Sequence, residues 1–175
     1  MKKVGLFWGS DTGNTQTVAS LIAEAFGGEN IVLHDIGQSS PEDLLQYEFL
    51  ILGIPTWGIG ELQSDWDNFF PKLDKIDFSG VTVALFGLGD QYTYSGYFLD
   101  AMGLLYEKIV EQGANVVGSW PADGYEFDES KAVVDGAFVG LAIDQDNQEE
   151  LTQDRVTVWA GQIKELFAEI AAAEA

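Results

Sequence analysis

Six consecutive residues, Ser10, Asp11, Thr12, Gly13, Asn14 and Thr15, have the composition of an anion cradle. They follow a short apolar run that stops at Gly9. An amphipathic pattern begins at once, with Val18, Leu21, Ile22, Ala25 and Phe26 on one face. A buried strand that feeds a tight turn into a helix N-terminus leaves backbone N–H groups open, and the helix dipole favours negative charge there. The stretch holds no Lys or Arg and includes Asp11. A phosphoryl-transfer loop requires Gly-x-x-x-x-Gly-Lys-Ser/Thr; here the glycines are Gly9 and Gly13, and Asn14 stands where the lysine would be. The Gly-x-Gly-x-x-Gly turn of dinucleotide sites is missing as well. The remaining donors suit a small phosphate monoester that is held permanently. The alternative is an ordinary hydroxyl-capped strand–helix turn.

Two further loops set aromatic residues among glycines. One reads Ile54-Pro55-Thr56-Trp57-Gly58-Ile59-Gly60, the other Gly89-Asp90-Gln91-Tyr92-Thr93-Tyr94. Both follow apolar strand patterns, so they sit at the carboxyl ends of strands, where open α/β sheets bind ligands. A Trp or Tyr at such a rim cannot enter the main core, but a flat aromatic ligand between the loops would cover both by stacking. A phosphate at one loop and two aromatic walls describe flavin mononucleotide (FMN). The alternative is that Trp57 and Tyr94 pack on each other or serve a partner interface.

Alternating elements must position these loops. Strand patterns at 3–8, 31–35, 49–53, 81–88, 115–117 and 141–143 alternate with helix patterns at about 13–26, 41–45, 64–73, 98–113 and 152–170. Gly27-Gly28 and Gly113 supply helix stops, and Pro41 suits a helix start. Strand runs apolar on both faces predict a parallel sheet covered on two sides, a three-layer doubly wound α/β fold. Residues 119–140, with Gly124, Tyr125, Phe127, Gly136, Phe138 and Gly140, are too long for a plain connection and read as an excursion of short strands. The Ala-rich end after Ile170 reads as a frayed tail.

Composition narrows the function. A chain of 175 residues fits one domain with a sizeable core. The formal charge of −21 excludes nucleic-acid binding through a basic patch, opposes docking to anionic membranes and favours a basic protein partner. With no cysteine, disulfides, iron–sulfur clusters and thiolate chemistry are excluded. The single histidine, His34, reads as a surface residue at a strand end. No apolar run is long enough to span a membrane or to form a signal peptide after Lys2-Lys3, so the expected location is cytoplasmic. Asp144, Asp146, Asn147, Glu149 and Glu150 cluster, but without the central glycine of an EF-hand they read as solvated acids.

Taken together, these segments resemble the flavodoxins of the long-chain type. The resemblance rests on Ser10-Asp11-Thr12-Gly13-Asn14-Thr15, Pro55-Thr56-Trp57, Leu85-Phe86-Gly87-Leu88-Gly89-Asp90-Gln91 and Asp123-Gly124-Tyr125-Glu126-Phe127, and it extends through Phe138–Ala142 and Asp144–Gln148. It implies a flavodoxin-like five-stranded parallel sheet of order 2-1-3-4-5, with residues 119–140 as the insertion that splits the fifth strand. It also implies non-covalent FMN and low-potential one-electron transfer, cycling mainly between semiquinone and hydroquinone. Residues 10–15 would hold the phosphate, while Trp57 and Tyr94 flank the ring; Tyr92 and Tyr97 are neighbouring alternatives for the second wall. Backbone around Gly58, Ile59, Gly89 and Asp90 would meet the ring's polar edge, and Asp146 the ribityl chain. Pro55, Thr56, Gly60, Leu88, Tyr97, Phe98 and Leu99 complete the implied binding set.

The implied role is that of a monomeric electron carrier, not an enzyme. Its partners would be redox proteins such as ferredoxin/flavodoxin-NADP reductase, pyruvate:flavodoxin oxidoreductase or nitrogenase reductase. Carboxylates in loops near the flavin end, Glu61, Asp65, Asp90, Glu126 and Asp146 among them, would steer a basic partner. A flavin enzyme such as a quinone reductase is the rival; two aromatic walls closing both ring faces argue against hydride transfer. A phosphoacceptor signalling domain is excluded, because the first and third strands end in Phe7-Trp8-Gly9 and Gly53-Ile54-Pro55 rather than in the acidic residues it needs.

Overall fold

A computed structural model describes residues 2–174. The alternation seen in the sequence becomes β1 (Val4–Trp8), α1 (Asn14–Phe26), β2 (Ile31–Asp35), α2 (Pro41–Leu44), β3 (Phe49–Trp57), β4 (Glu61–Leu62) and α3 (Ser64–Phe69). There follow β5 (Thr82–Leu88), α4 (Asp100–Glu111), β6 (Asn115–Val117), β7 (Trp120–Pro121), β8 (Val133–Val134), β9 (Ala137–Phe138), β10 (Leu141–Ile143) and α5 (Glu149–Glu174). The main sheet runs β2-β1-β3-β5-β10, and each of these neighbours pairs in parallel.

The fifth position of the sheet is shared. β6 pairs with Thr82, Val83 and Ala84 at the start of β5, while β10 pairs with Phe86, Gly87 and Leu88 at its end. Between them the chain leaves the sheet and folds β7-β9-β8 into a small antiparallel sheet. The predicted strand order therefore holds, with β6 and β10 together as its fifth member.

Strand periodicity sorts the core into two layers. Phe49 and Ile51 of β3 pack with Val18, Ile22, Phe26, Val156, Trp159, Ile163 and Phe167 of α1 and α5. The intervening Leu50, Leu52 and Ile54 pack on the other side with Leu44, Trp66, Phe69, Leu105 and Ile109 of α2, α3 and α4. Each large apolar side chain so buried contributes about 1.5–3 kcal/mol relative to exposure. α1 ends as its glycines predict. Gly27 is left-handed, and the N–H groups of Gly27 and Gly28 both donate to the Ala23 carbonyl.

Several boundaries differ from the sequence reading. β3 does not end at Pro55 but continues to Trp57, because Thr56 and Trp57 leave the parallel sheet and pair antiparallel with Leu62 and Glu61. Pro55 sits at the last position facing β5, so its missing N–H breaks no interior ladder. α3 is shorter than expected: residues 70–75 tighten into a 3-10 helix, with Pro71 within its first two positions. α5 begins one turn earlier and stays helical to Glu174, so the Ala-rich end described here is not frayed. His34 is half-buried rather than a surface residue. Its ring stacks on Phe7 with centroids 4.4 Å apart, and Nε2 lies 2.8 Å from the Tyr47 hydroxyl.

Candidate cofactor-binding site

β1 delivers the chain to Gly9, whose N–H donates to the Gly53 carbonyl (3.3 Å). Only glycine fits there, since a Cβ would lie 2.5 Å from Gln63 Oε1 and 2.7 Å from Trp66 Cδ1. The turn is held by the Gly13 N–H donating to Ser10 Oγ (2.8 Å). Gly13 is left-handed at φ 92°, and α1 starts behind it without a side-chain cap. Its first-turn N–H groups, which have no carbonyl within the helix to bond, are thus left to the cavity that Asn14 and Thr15 line. Asp11 is accounted for as well. Its Oδ1 accepts from Gln63 Nε2 (2.9 Å) and Ser64 Oγ (3.3 Å), so the carboxylate ties the cradle to the start of α3.

The second loop is braced from α4. Thr56 Oγ1 accepts from the Ala101 N–H (3.0 Å), in place of a cap from Leu99, which is left-handed at φ 58°. Gly58 and Gly60 also adopt positive φ, 47° and 89°. In the third loop Asp90 Oδ1 accepts from the Tyr92 and Thr93 N–H groups (3.1 and 2.9 Å) and from Asn147 Nδ2 (2.8 Å). Burial pushes the Asp90 carboxyl up, but these donors outweigh it and hold the group below the ordinary carboxylate range. Asp146 shifts the other way: burial raises it first, and the charges of Asp90 and Asp144 add to that.

The three loops and the turn after β10 enclose a cleft of about 230 Å³. Ser10, Asp11, Thr12, Asn14 and Thr15 line one end, and Pro55, Thr56, Trp57 and Gly58 one wall. Leu88, Gly89, Asp90 and Tyr94 line the cleft from the third loop, and Gln145 and Asp146 from the turn after β10. None of these lining residues is Lys or Arg. Trp57 and Tyr94 both line the cleft and remain 39% and 40% exposed.

Residues 6–159 match the sequence family described as Flavodoxin. The chain belongs to the flavodoxin family. It is 55% identical to a flavodoxin of Synechocystis over 168 residues, covering 95% of this chain and 99% of that one. It is 53% identical to flavodoxin 1 of Escherichia coli over 166 residues, covering 94% of each. Among solved structures, the Fusobacterium nucleatum flavodoxin bound to flavin mononucleotide superposes with a TM-score of 0.90 at 33% identity, covering 94% of this chain and 98% of that one.

Within this flavodoxin fold, not every residue expected at the site reaches the cleft. Gly13, Ile59, Gly60, Tyr97, Phe98 and Leu99 do not line it. Gly13 turns the chain behind the cradle, and Gly60 packs on Asp100, where a Cβ would come within 2.9 Å of Oδ2. Phe98 and Leu99 are core residues, 1% and 0% exposed. Phe98 packs into an aromatic cluster with Tyr125, Phe127 and Phe138 at 5.4–5.9 Å, so the resemblance that put it in the binding set meets a core ring instead. Of Tyr92, Tyr94 and Tyr97, Tyr94 alone lines the cleft. Two residues were missed. Gln145 lines the cleft next to Asp146, and its position just past the last strand was the available signal. Gln63 is 1% exposed and orders the cradle through Asp11, and nothing in its sequence context marks it.

Proposed function

We propose that this chain binds FMN non-covalently and carries single electrons between redox proteins, as an electron-transfer protein rather than an enzyme. The observation that carries the reading is one cleft that joins an uncapped, cation-free helix N-terminus to two half-exposed aromatic walls. The residues fit the cofactor. Ser10, Thr12, Asn14, Thr15 and the first-turn amides of α1 supply neutral donors for a phosphate. Trp57 and Tyr94 supply the faces for a flat ring, and Asp146, which lines the same cleft, suits the sugar-alcohol chain. FMN supplies the redox chemistry when bound; the protein orients it, excludes water from its faces and sets its potentials. The FMN-bound Fusobacterium nucleatum flavodoxin supports the same assignment. The test is to add FMN to the purified chain and reduce it stepwise. A bound-flavin spectrum that passes through a one-electron form supports the reading, and NAD(P)H oxidation by the chain alone would favour a flavin enzyme instead.

We further infer that cycling occurs mainly between the semiquinone and fully reduced forms. A formal charge of −21 and a desolvated ring both disfavour the anion formed on full reduction, which places that step at low potential. Gly58 bears on the other step. At φ 47° its peptide occupies a region that is cheap only for glycine, so it can turn its carbonyl without strain. Gly58→Ala meets no hard neighbour, the nearest being Glu61 Oε1 at 3.4 Å from the new Cβ, so its effect is conformational. It should shift the one-electron midpoints by roughly 1 kcal/mol, tens of millivolts, and lower the semiquinone yield in a redox titration. Unchanged midpoints would remove Gly58 from this role.

We infer that the partners present basic surfaces, a reading the same charge supports, with a ferredoxin/flavodoxin-NADP reductase, a pyruvate:flavodoxin oxidoreductase or a nitrogenase reductase as candidates. Glu61, Asp90 and Asp146 lie in or beside the loops of the cleft. Electron-transfer rates should fall as ionic strength rises; stopped-flow rates that stay flat from low to high salt would count against steering.

A further inference from the structure

Residues 126–131 of the insertion do not line the cleft, yet they run along residues 91–100 and meet them in step. The Glu126 N–H donates to Gln91 Oε1 (2.7 Å), and the Asp128 and Glu129 N–H groups donate to the Ser95 carbonyl (2.9 and 3.1 Å). The Ser130 hydroxyl donates to the Phe98 carbonyl, and the Lys131 N–H to Asp100 Oδ1 (2.8 Å). Gly103 of α4 leaves room for this strap, since a Cβ there would lie 2.4 Å from the Lys131 carbonyl. The Tyr94 loop lies between 91 and 100, so the strap forms its outer brace.

The turn after β10 forms its inner brace. Asp144 is fully buried, and its carboxylate accepts the Gln91 N–H (3.1 Å), the Gln91 side-chain amide (2.7 Å) and the N–H groups of Asp146 and Asn147 (3.1 and 3.0 Å). Among the described hydrogen bonds, Gln91 is the residue whose side chain reaches both braces. It is 0% exposed, so neither end of its amide can turn to water instead. Its polarity is also dictated: Nε2 must face the acceptor Asp144 and Oε1 the Glu126 N–H. A buried amide with both ends committed fixes the spacing between strap and turn, and with it the seat of Tyr94 three residues on.

We propose that Gln91 is a positioning residue through which the 126–131 strap and the Asp144 turn together set how Tyr94 closes on the flavin. This rests on the FMN reading above. It gives the insertion a part in cofactor geometry without any contact to the cofactor. Gln91→Met keeps length and apolar volume but removes the donor and the acceptor. In the whole 175-residue chain, freed of flavin and titrated, the affinities for FMN and riboflavin should fall by the same factor, about tenfold. Both ligands share the ring that Tyr94 covers, and only one carries the phosphate. The one-electron midpoints should shift with them, a change that loss of general stability would not produce.

Gln91→Glu provides a second handle should the methionine variant not fold. Its ionised form opposes Asp144, whereas its protonated form restores both hydrogen bonds. Its affinity relative to wild type at the same pH should therefore recover on acidification. The ratio matters because other acids lie around the position: Asp90 precedes it, Asp144 accepts from its side chain and from the Asp146 N–H, and Glu126 donates its N–H to it. A loss confined to FMN, or variants equal to wild type in both affinities and midpoints, would overturn the role of Gln91 alone. A wild-type chain that binds neither flavin would overturn the function as well.

Discussion

Riboflavin is expected to bind about a thousandfold more weakly than FMN, because about three charge-assisted hydrogen bonds to the phosphate are lost at roughly 1.5–3 kcal/mol each, partly offset by rehydration of the cradle. In the proposed site these hydrogen bonds would come from Ser10, Thr12, Asn14, Thr15 and the open N-terminus of α1, which line one cleft. The salt dependence should have an unusual sign. A cradle with a lysine attracts phosphate over a distance and loses affinity as salt screens that attraction. Here no cation lines the cleft, and a chain of charge −21 repels the phosphate until it arrives. Added salt weakens the repulsion more than it weakens short hydrogen bonds in a desolvated site. FMN should therefore bind more tightly as ionic strength rises, while riboflavin, which is uncharged, should hardly respond. Fluorescence titration of both ligands across a salt series decides it. FMN affinity that drops with salt would mean that a cation takes part after all.

The second large effect concerns Gly140, where the excursion between β6 and β10 hands the chain back to the sheet. A Cβ on this residue would stand 2.1 Å from the Leu85 carbonyl oxygen and 2.6 Å from its carbon. These are backbone atoms in the middle of β5, so no rotamer change relieves the contact, and the re-entering chain must move off the sheet. Gly140→Ala should cost about 3 kcal/mol in urea unfolding, at the upper end of overpacking penalties. Gly161→Ala gives the opposite sign within the same chain. Gly161 lies on the exposed face of α5 with nothing within 4 Å of a new Cβ, so the substitution should add about 0.5–1 kcal/mol through helix propensity. Two Gly→Ala changes that shifted stability in the same direction would refute the packing account.

How far the sequence could be read depended on whether a feature is local. The cradle, the Trp57 loop and the Tyr94 loop each announce themselves within about seven residues, because strand, turn and helix signals follow one another directly. Apolar runs announced a parallel sheet covered on two sides, whereas its strand order came only with the family resemblance, since pairing partners lie far apart in the chain. What escaped was set by distant partners. Pro55 looked like a strand end, but β4 offers Thr56 and Trp57 a second pairing. Phe98 entered the implied binding set, but the excursion about thirty residues on supplies aromatic neighbours that hold it in the core. Asp11 looked out of place in an anion site until Gln63 and Ser64, some fifty positions away, took up its carboxylate. The stacking of His34 on Phe7 likewise needs the parallel register of β1 and β2, which sets the two directly opposite.

The shared fifth position of the sheet has a consequence for the protein's behaviour in a crowded solution. An outer strand with a long free row of N–H and C=O groups is a template on which another chain can grow. Here that margin is cut into β6 and β10, three residues each, with the chain bending away between them at Gly118, φ 88°. The Gly118 carbonyl, at the cut itself, is already taken by Trp159 Nε1 of α5 at 2.9 Å. An approaching strand would find two short, offset pieces instead of one edge. The excursion that carries the strap thus also denies this side of the sheet a continuous border on which aggregation could begin, and leaves β2 as the main sheet's unbroken edge.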